Sequence, residues 1–124
     1  MPTVTAAVAD KTWNSMTDNT FRPVPYLTVT MTSVNAGPAA ITWSLAVPMN
    51  GSIVTRLCID GKVIPSTNVV VGNTTYATST GTYYTTLSAG PHTIALQYRT
   101  NMAFTFDPAA DWQSARLQLM SFDQ

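Results

Sequence analysis

The chain has 124 residues, enough for one domain with one core and too few for two ordinary ones. Lys plus Arg is 6, Asp is 6 with no Glu, and the formal net charge is zero. Charged residues make up 10% of the chain, against roughly 25% in ordinary soluble domains. This balance excludes a basic surface for neutralising phosphates and an electrostatic membrane anchor. The one cysteine, Cys58, excludes an internal disulfide and a zinc cluster. Thr is abundant where Glu and Lys are scarce, which favours strands over helices. So little charge leaves neighbouring copies unrepelled, and predicts that much of the surface is buried against other copies or a partner, with a share of it solvated by Thr, Ser and Asn hydroxyls and amides.

Residues 3–9 alternate weakly and predict a first or edge strand. Residues 10–25 carry Trp13, Met16 and Phe21 among Asn, Thr, Asp and Pro. They are too apolar for a free tail, so residues 1–25 read as an N-terminal arm packed on the body or on a neighbouring subunit. Residues 26–34 predict a strand with Leu27, Val29 and Met31 facing in. A turn at Asn35-Ala36-Gly37-Pro38 leads to residues 40–47, with Ile41, Trp43, Leu45 and Val47 on one face.

Pro48-Met49-Asn50-Gly51 reads as a break, followed by a strand over 52–59 with Ile53, Leu57 and Ile59 on one face. Asp60-Gly61 is a two-residue hairpin loop of the primed type, pairing Ile59 with Lys62, Cys58 with Val63 and Leu57 with Ile64. Pro65-Ser66-Thr67 reads as the end of that arm. A brief β-branched run over 68–71 closes at Gly72-Asn73, and residues 74–80 are mostly polar.

Residues 81–100, GTYYTTLSAGPHTIALQYRT, give the clearest alternation in the chain. Tyr83, Thr85 and Leu87 share one face; Ile94, Leu96 and Tyr98 share another. With Ser88-Ala89-Gly90-Pro91 as the loop, a hairpin would set Leu87 against His92, Thr85 against Ile94 and Tyr83 against Leu96. An aromatic loop over 101–112 carries Phe104, Phe106 and Trp112. The last strand, 114–122, places Leu117 and Leu119 opposite Arg116, Gln118, Met120 and Phe122. No segment carries a helical stripe with caps. The pattern predicts an all-β, antiparallel β-sandwich or barrel in a single domain.

The C-terminal part, with its strand GTYYTTL, turn Leu-Ser-Ala-Gly, strand HTIALQYR, aromatic loop and closing strand ARLQLMSF, resembles jelly-roll modules of the tumour necrosis factor and C1q type. The resemblance implies a jelly roll that assembles as a homotrimer and serves as an adhesive or capping head. Comparable modules decorate phage capsids or tip fibres, and some bacterial relatives are trimeric lectins. The N-terminus shows no secretion signal, and an intact start Met suits a virion component assembled in the host cytoplasm. The expectation is a non-enzymatic virion surface protein: a capsid decoration (cement) protein, or a fibre or spike head. Its partners would be copies of itself and a major capsid protein or other virion proteins, with no nucleic acid and no membrane insertion. The alternative is a trimeric carbohydrate-binding lectin of the same fold, touching cell-surface glycan.

Candidate chemistry is sparse. His92 is the single histidine, and Ser88 lies nearby, but no Gly-x-Ser-x-Gly elbow accompanies them, so no catalytic residue is expected. Asp107 and Asp111, with Asp10, Asp18 or Asp123, carry the oxygen ligands calcium takes, yet no Asp-x-Asp-x-Asp-Gly loop is present, so neither metal nor cofactor is expected. Cys58 reads as a small apolar residue between the sheets. Asn73-Thr74-Thr75 matches a glycosylation sequon and reads as a turn plus a Thr-rich strand. Trp13, Tyr76, Tyr83, Tyr84, Arg99, Trp112 and Arg116 are the residue types that line subunit interfaces, and could also contact sugar.

Overall fold

Alternation of apolar and hydroxyl-bearing side chains decides which face of each strand is buried, and burial decides the layers. The computed structural model describes residues 3–110 and 112–122, apart from the side chains of residues 49, 50 and 73–76. In chain order the strands are β1 (Thr3–Val8), β2 (Trp13–Asn14), β3 (Arg22–Ser33), β4 (Gly37–Ile59), β5 (Lys62–Leu87), β6 (Gly90–Thr100), β7 (Thr105–Phe106) and β8 (Ser114–Ser121). Every pairing is antiparallel.

The two long strands organise the molecule. Residues 39–46 of β4 pair with β8, which pairs in turn with β1. Residues 53–59 of β4 pair instead with β6, which pairs with β3. Strand β5 follows β4 along its whole length. One ribbon therefore supplies two strands to each layer: β1-β8-β4-β5 in the first, β3-β6-β4-β5 in the second. The ladder is irregular between Pro48 and Ile53, where β4 passes from one layer to the other. Pro48 has no N–H to contribute there. Pro48–Gly51 is thus a bend within a continuous strand, and not the break its composition suggests.

The inward faces read from the sequence are the buried ones. Leu27, Val29, Ile41, Trp43, Leu45, Val47, Ile53, Leu57, Leu117 and Leu119 all lie in the core. Trp43 stands directly opposite Gly81. A Cβ at Gly81 would overlap the Trp43 ring, so the bare glycine makes room for the indole. Two hydroxyls cross the core: Thr55 on the second layer and Ser79 on the first are both fully buried and bond each other at 2.6 Å. That pairing removes the penalty each would carry alone.

Turn chemistry explains one connection and overturns another. Asp60 and Gly61 have φ of 52° and 80°, as a primed two-residue turn requires. Ile59 pairs with Lys62, Cys58 with Val63 and Leu57 with Ile64, the register the sequence predicts. Pro65-Ser66-Thr67 does not end the arm. The register shifts between Thr55 and Leu57, and buried Thr67 fills the irregularity. Its hydroxyl accepts the Leu57 N–H at 2.9 Å and donates to the Ile64 carbonyl at 2.6 Å. The hairpin expected over 81–100 does not form. The β5 segment ending at Leu87 pairs with β4 in the first layer, while β6 pairs with β3 and β4 in the second. Residues 88–89 carry the chain between layers. Alternation fixed both buried faces, but either pairing satisfies it.

Within residues 1–25, β1 forms an edge of the first layer, and β2 pairs with β7. Trp13 on β2 is 6% exposed and packs on Tyr98, Phe104 and Phe106 with ring centroids 5.5, 5.3 and 5.7 Å away.

Candidate functional site

Three places in this sandwich bring chemistry together: a cleft at one end and the outer face of each layer. The cleft is about 340 Å³, with Ile59, Ile64, Tyr83 and Leu87 among its apolar walls and Lys62 and Thr85 among its polar ones. Asp60, Ser88 and His92 line it too. The Asp60-Gly61 turn brings Asp60 against the first residues of β6. Asp60 Oδ2 lies 2.6 Å from His92 Nδ1, and Asp60 Oδ1 accepts the Thr93 N–H at 2.8 Å. The Asp60 N–H donates to the Thr93 carbonyl at 2.8 Å. On the other side of the ring, His92 Nε2 lies 2.7 Å from the Ser88 carbonyl oxygen.

A carbonyl oxygen can only accept, so Nε2 carries a proton; a carboxylate at Nδ1 favours a second. The Ser88 carbonyl and then Asp60 therefore raise the His92 pKa above its ordinary 6.5. His92, followed by the Thr93 amide, holds the Asp60 carboxyl below its ordinary 3.8. Catalysis by general base needs a free ring lone pair. Here both nitrogens are engaged, and the Ser88 group that meets the ring is the carbonyl. The arrangement is a polar strut tying the Asp60 turn, the layer crossing and β6 together.

The outer face of the first layer is built from direct cross-strand rows. Val4, Met120, Ala40 and Tyr84 stand opposite one another on β1, β8, β4 and β5. The next row is Ala6, Gln118, Thr42 and Thr82, and the one after is Val8, Arg116, Ser44 and Thr80. Tyr84 is 76% exposed, and Val4 and Val8 are more than half exposed. Arg116 is the sole charge in these rows. Thr42, Thr82, Ser44 and Thr80 add hydroxyls on β4 and β5.

The outer face of the second layer carries Arg56 and Arg99. Both guanidiniums lie against the ring of Phe21, 3.6 and 4.8 Å from its centroid.

The candidate interface residues divide accordingly. Tyr84 and Arg116 share the outer face of the first layer. Tyr83, adjacent in sequence, points the other way, packs on the core and lines the cleft. Trp13 is core within its own chain. Arg99 lies on the opposite outer face, and Trp112, at the end of the aromatic loop, is 42% exposed. The side chains of Tyr76 and of the sequon residues 73–75 fall outside the described residues. Arg56 and Phe21 were missed as site residues; the signal for Arg56 was its phase, opposite buried Thr55 and Leu57. Cys58 shares that phase, so it is half-buried on the outer face and not between the sheets.

No group of three or more His, Cys or acidic side chains able to hold a metal occurs among the described residues, which omit Asp111 and Asp123. Asp18 pairs with Arg22, and Asp107 caps its own turn, accepting the Ala109 N–H at 2.9 Å.

This strand order and these paired layers define a single-domain antiparallel jelly roll. No protein-family model matches the sequence, and no curated protein is detectably similar to it in sequence. Among solved structures, murine APRIL at pH 8.5 superposes with a TM-score of 0.65 at 11% identity, covering 98% of this chain and 100% of that one. Dimeric latent PorU from Porphyromonas gingivalis superposes at 0.63 and 9% identity over 97% of this chain and 12% of that one. At these identities the likeness is one of fold.

Proposed function

We propose that this protein is a non-enzymatic structural module that assembles with copies of itself, as a homotrimer, through the outer face of its first layer. The carrying observation is the row of Val4, Met120, Ala40 and Tyr84, with Arg116, two rows away, the sole charge in the three rows. Tyr84, which ends this apolar row, is a residue type that anchors interfaces, and little charge there needs desolvating. The trimeric state of tumour necrosis factor-like neighbours supports the same reading. In this proposal the trimer sits on a phage particle, made in the host cytoplasm, as a capsid decoration protein against the major capsid protein or as a fibre head. A neutral, charge-poor jelly roll without a base-competent histidine suits a part whose work is contact area.

Light scattering and sedimentation at micromolar concentration test assembly. The expected mass is three times 13.4 kDa, reduced to the monomer by Tyr84→Asp combined with Met120→Asp. A wild-type chain that stays monomeric would sink the proposal. The coding neighbourhood separates the finer options: a major capsid gene alongside favours decoration, and tail genes favour a fibre head.

A further inference from the structure

We propose that Arg56 and Arg99 form a docking subsite for a carboxylate of a partner protein, on the layer facing away from the self-association surface. Arg56 on β4 stands opposite Gln97 on β6, which stands opposite Pro23 on β3. Arg99 stands opposite Val54. Phe21, one residue before β3, lies beside both. Half of the chain's arginines therefore converge on one ring.

Bringing two cations together in a chain this poor in charge calls for a counter-charge. Among the described residues none is supplied: Asp18 pairs with Arg22, Asp60 pairs with His92, and neither Arg56 nor Arg99 forms an ion pair. The Phe21 ring holds both guanidiniums by cation–π contact, which satisfies no N–H donor. Arg56 is oriented further, since its Nε donates to Gln97 Oε1 at 2.8 Å. Its terminal nitrogens remain as a preset fork, the geometry that grips a carboxylate with two parallel bonds.

The surroundings favour an aspartate or glutamate side chain over a sugar acid. Val54 and Val70 stand opposite each other beside the pair, and Val70 is 69% exposed. Pro23 borders the other side. An apolar sheet face with arginine and an aromatic at its centre is the composition of a protein contact. A sugar would need hydroxyl partners, and the Gln97 oxygen is already engaged.

The test uses the full chain, isotope-labelled, titrated at constant ionic strength with a capped diaspartate peptide and separately with glucuronate. The peptide should produce saturable shifts at the Nε–H signals of Arg56 and Arg99 and none at Arg116. Arg56→Gln and Arg99→Gln should each weaken binding about tenfold, while Arg56→Lys, which keeps charge but loses the fork, should fall between. Both positions are at the surface, so unchanged melting temperatures will confirm folded variants. No saturable shift, an equal shift at Arg116, or unchanged affinity in the glutamine variants overturns the site. Saturation by glucuronate without saturation by the peptide overturns the protein-partner assignment. Loss of self-association in the glutamine variants would mean that a sister copy supplies the carboxylate, and overturns it too.

Discussion

The two ends of the sandwich are closed by different chemistry, and β6 runs between them. His92 stands near its start and Tyr98 near its end, roughly 20 Å apart at about 3.3 Å per residue. At the Tyr98 end, Trp13, Phe104 and Phe106 pack ring on ring. The main chain is stitched by the β2–β7 pair, and the Tyr98 hydroxyl accepts the Met16 N–H at 2.9 Å. At the His92 end, the closure is an ion pair under a cleft. The first end is held by area and shape, which pH does not alter. The second is held by charge, which it does. A molecule with so few ionisable groups has thus placed one of its two described ion pairs where a layer crossing must be fixed.

The largest expected effect lies at the aromatic end. Trp13→Ala removes the ring that the other three share, and should cost about 3–5 kcal/mol by the usual scale for large-to-small core changes. Chemical denaturation should find that loss equal at acid and alkaline pH. A loss that varied strongly with pH would break the contrast between the ends.

Between the ends, Gly81→Ala probes the packing that both share. The new methyl meets the Trp43 ring, a rigid buried neighbour, and overpacking of that kind costs about 1–3 kcal/mol. An unchanged melting temperature would mean that the indole can move aside.

What the sequence made legible follows the same division between local and non-local chemistry. The Asp60-Gly61 register was readable because two consecutive positive φ angles are a local demand that few dipeptides meet. The buried faces were readable because alternation is local. Partner choice was not. Residues 81–100 satisfy alternation equally as a hairpin or as two strands in opposite layers, and only the competing offers of β3 and β4 decide. Pro48 and Gly72 look like breaks for the same reason: a bend that carries a strand between layers uses the residues that end one. The Arg56–Phe21–Arg99 group required knowing that β3 lies beside β6, and the Asp60–His92 pair required knowing that β4 pairs with β6.

The smallest effect is the sharpest test of the contrast. Asp60→Asn keeps a side chain that tolerates positive φ and can still accept the Thr93 N–H, so it removes the charge and little else. Asp60 is 43% exposed at its side chain, so solvent screens the pair and the expected loss is about 1 kcal/mol. Its pH window follows from the directions of the two shifts. The His92 pKa is raised above 6.5, so its contribution is complete below that value and is lost as pH rises through the higher folded pKa. The Asp60 pKa is lowered below 3.8, so its contribution is complete above that value and is lost as pH falls through the lower folded pKa. The stability difference between wild type and Asp60→Asn should therefore be greatest between 3.8 and 6.5 and shrink on both sides. Denaturation midpoints across that range decide it. A difference that is flat with pH would mean that the carboxylate holds the turn through the Thr93 amide alone, and that His92 is buried neutral.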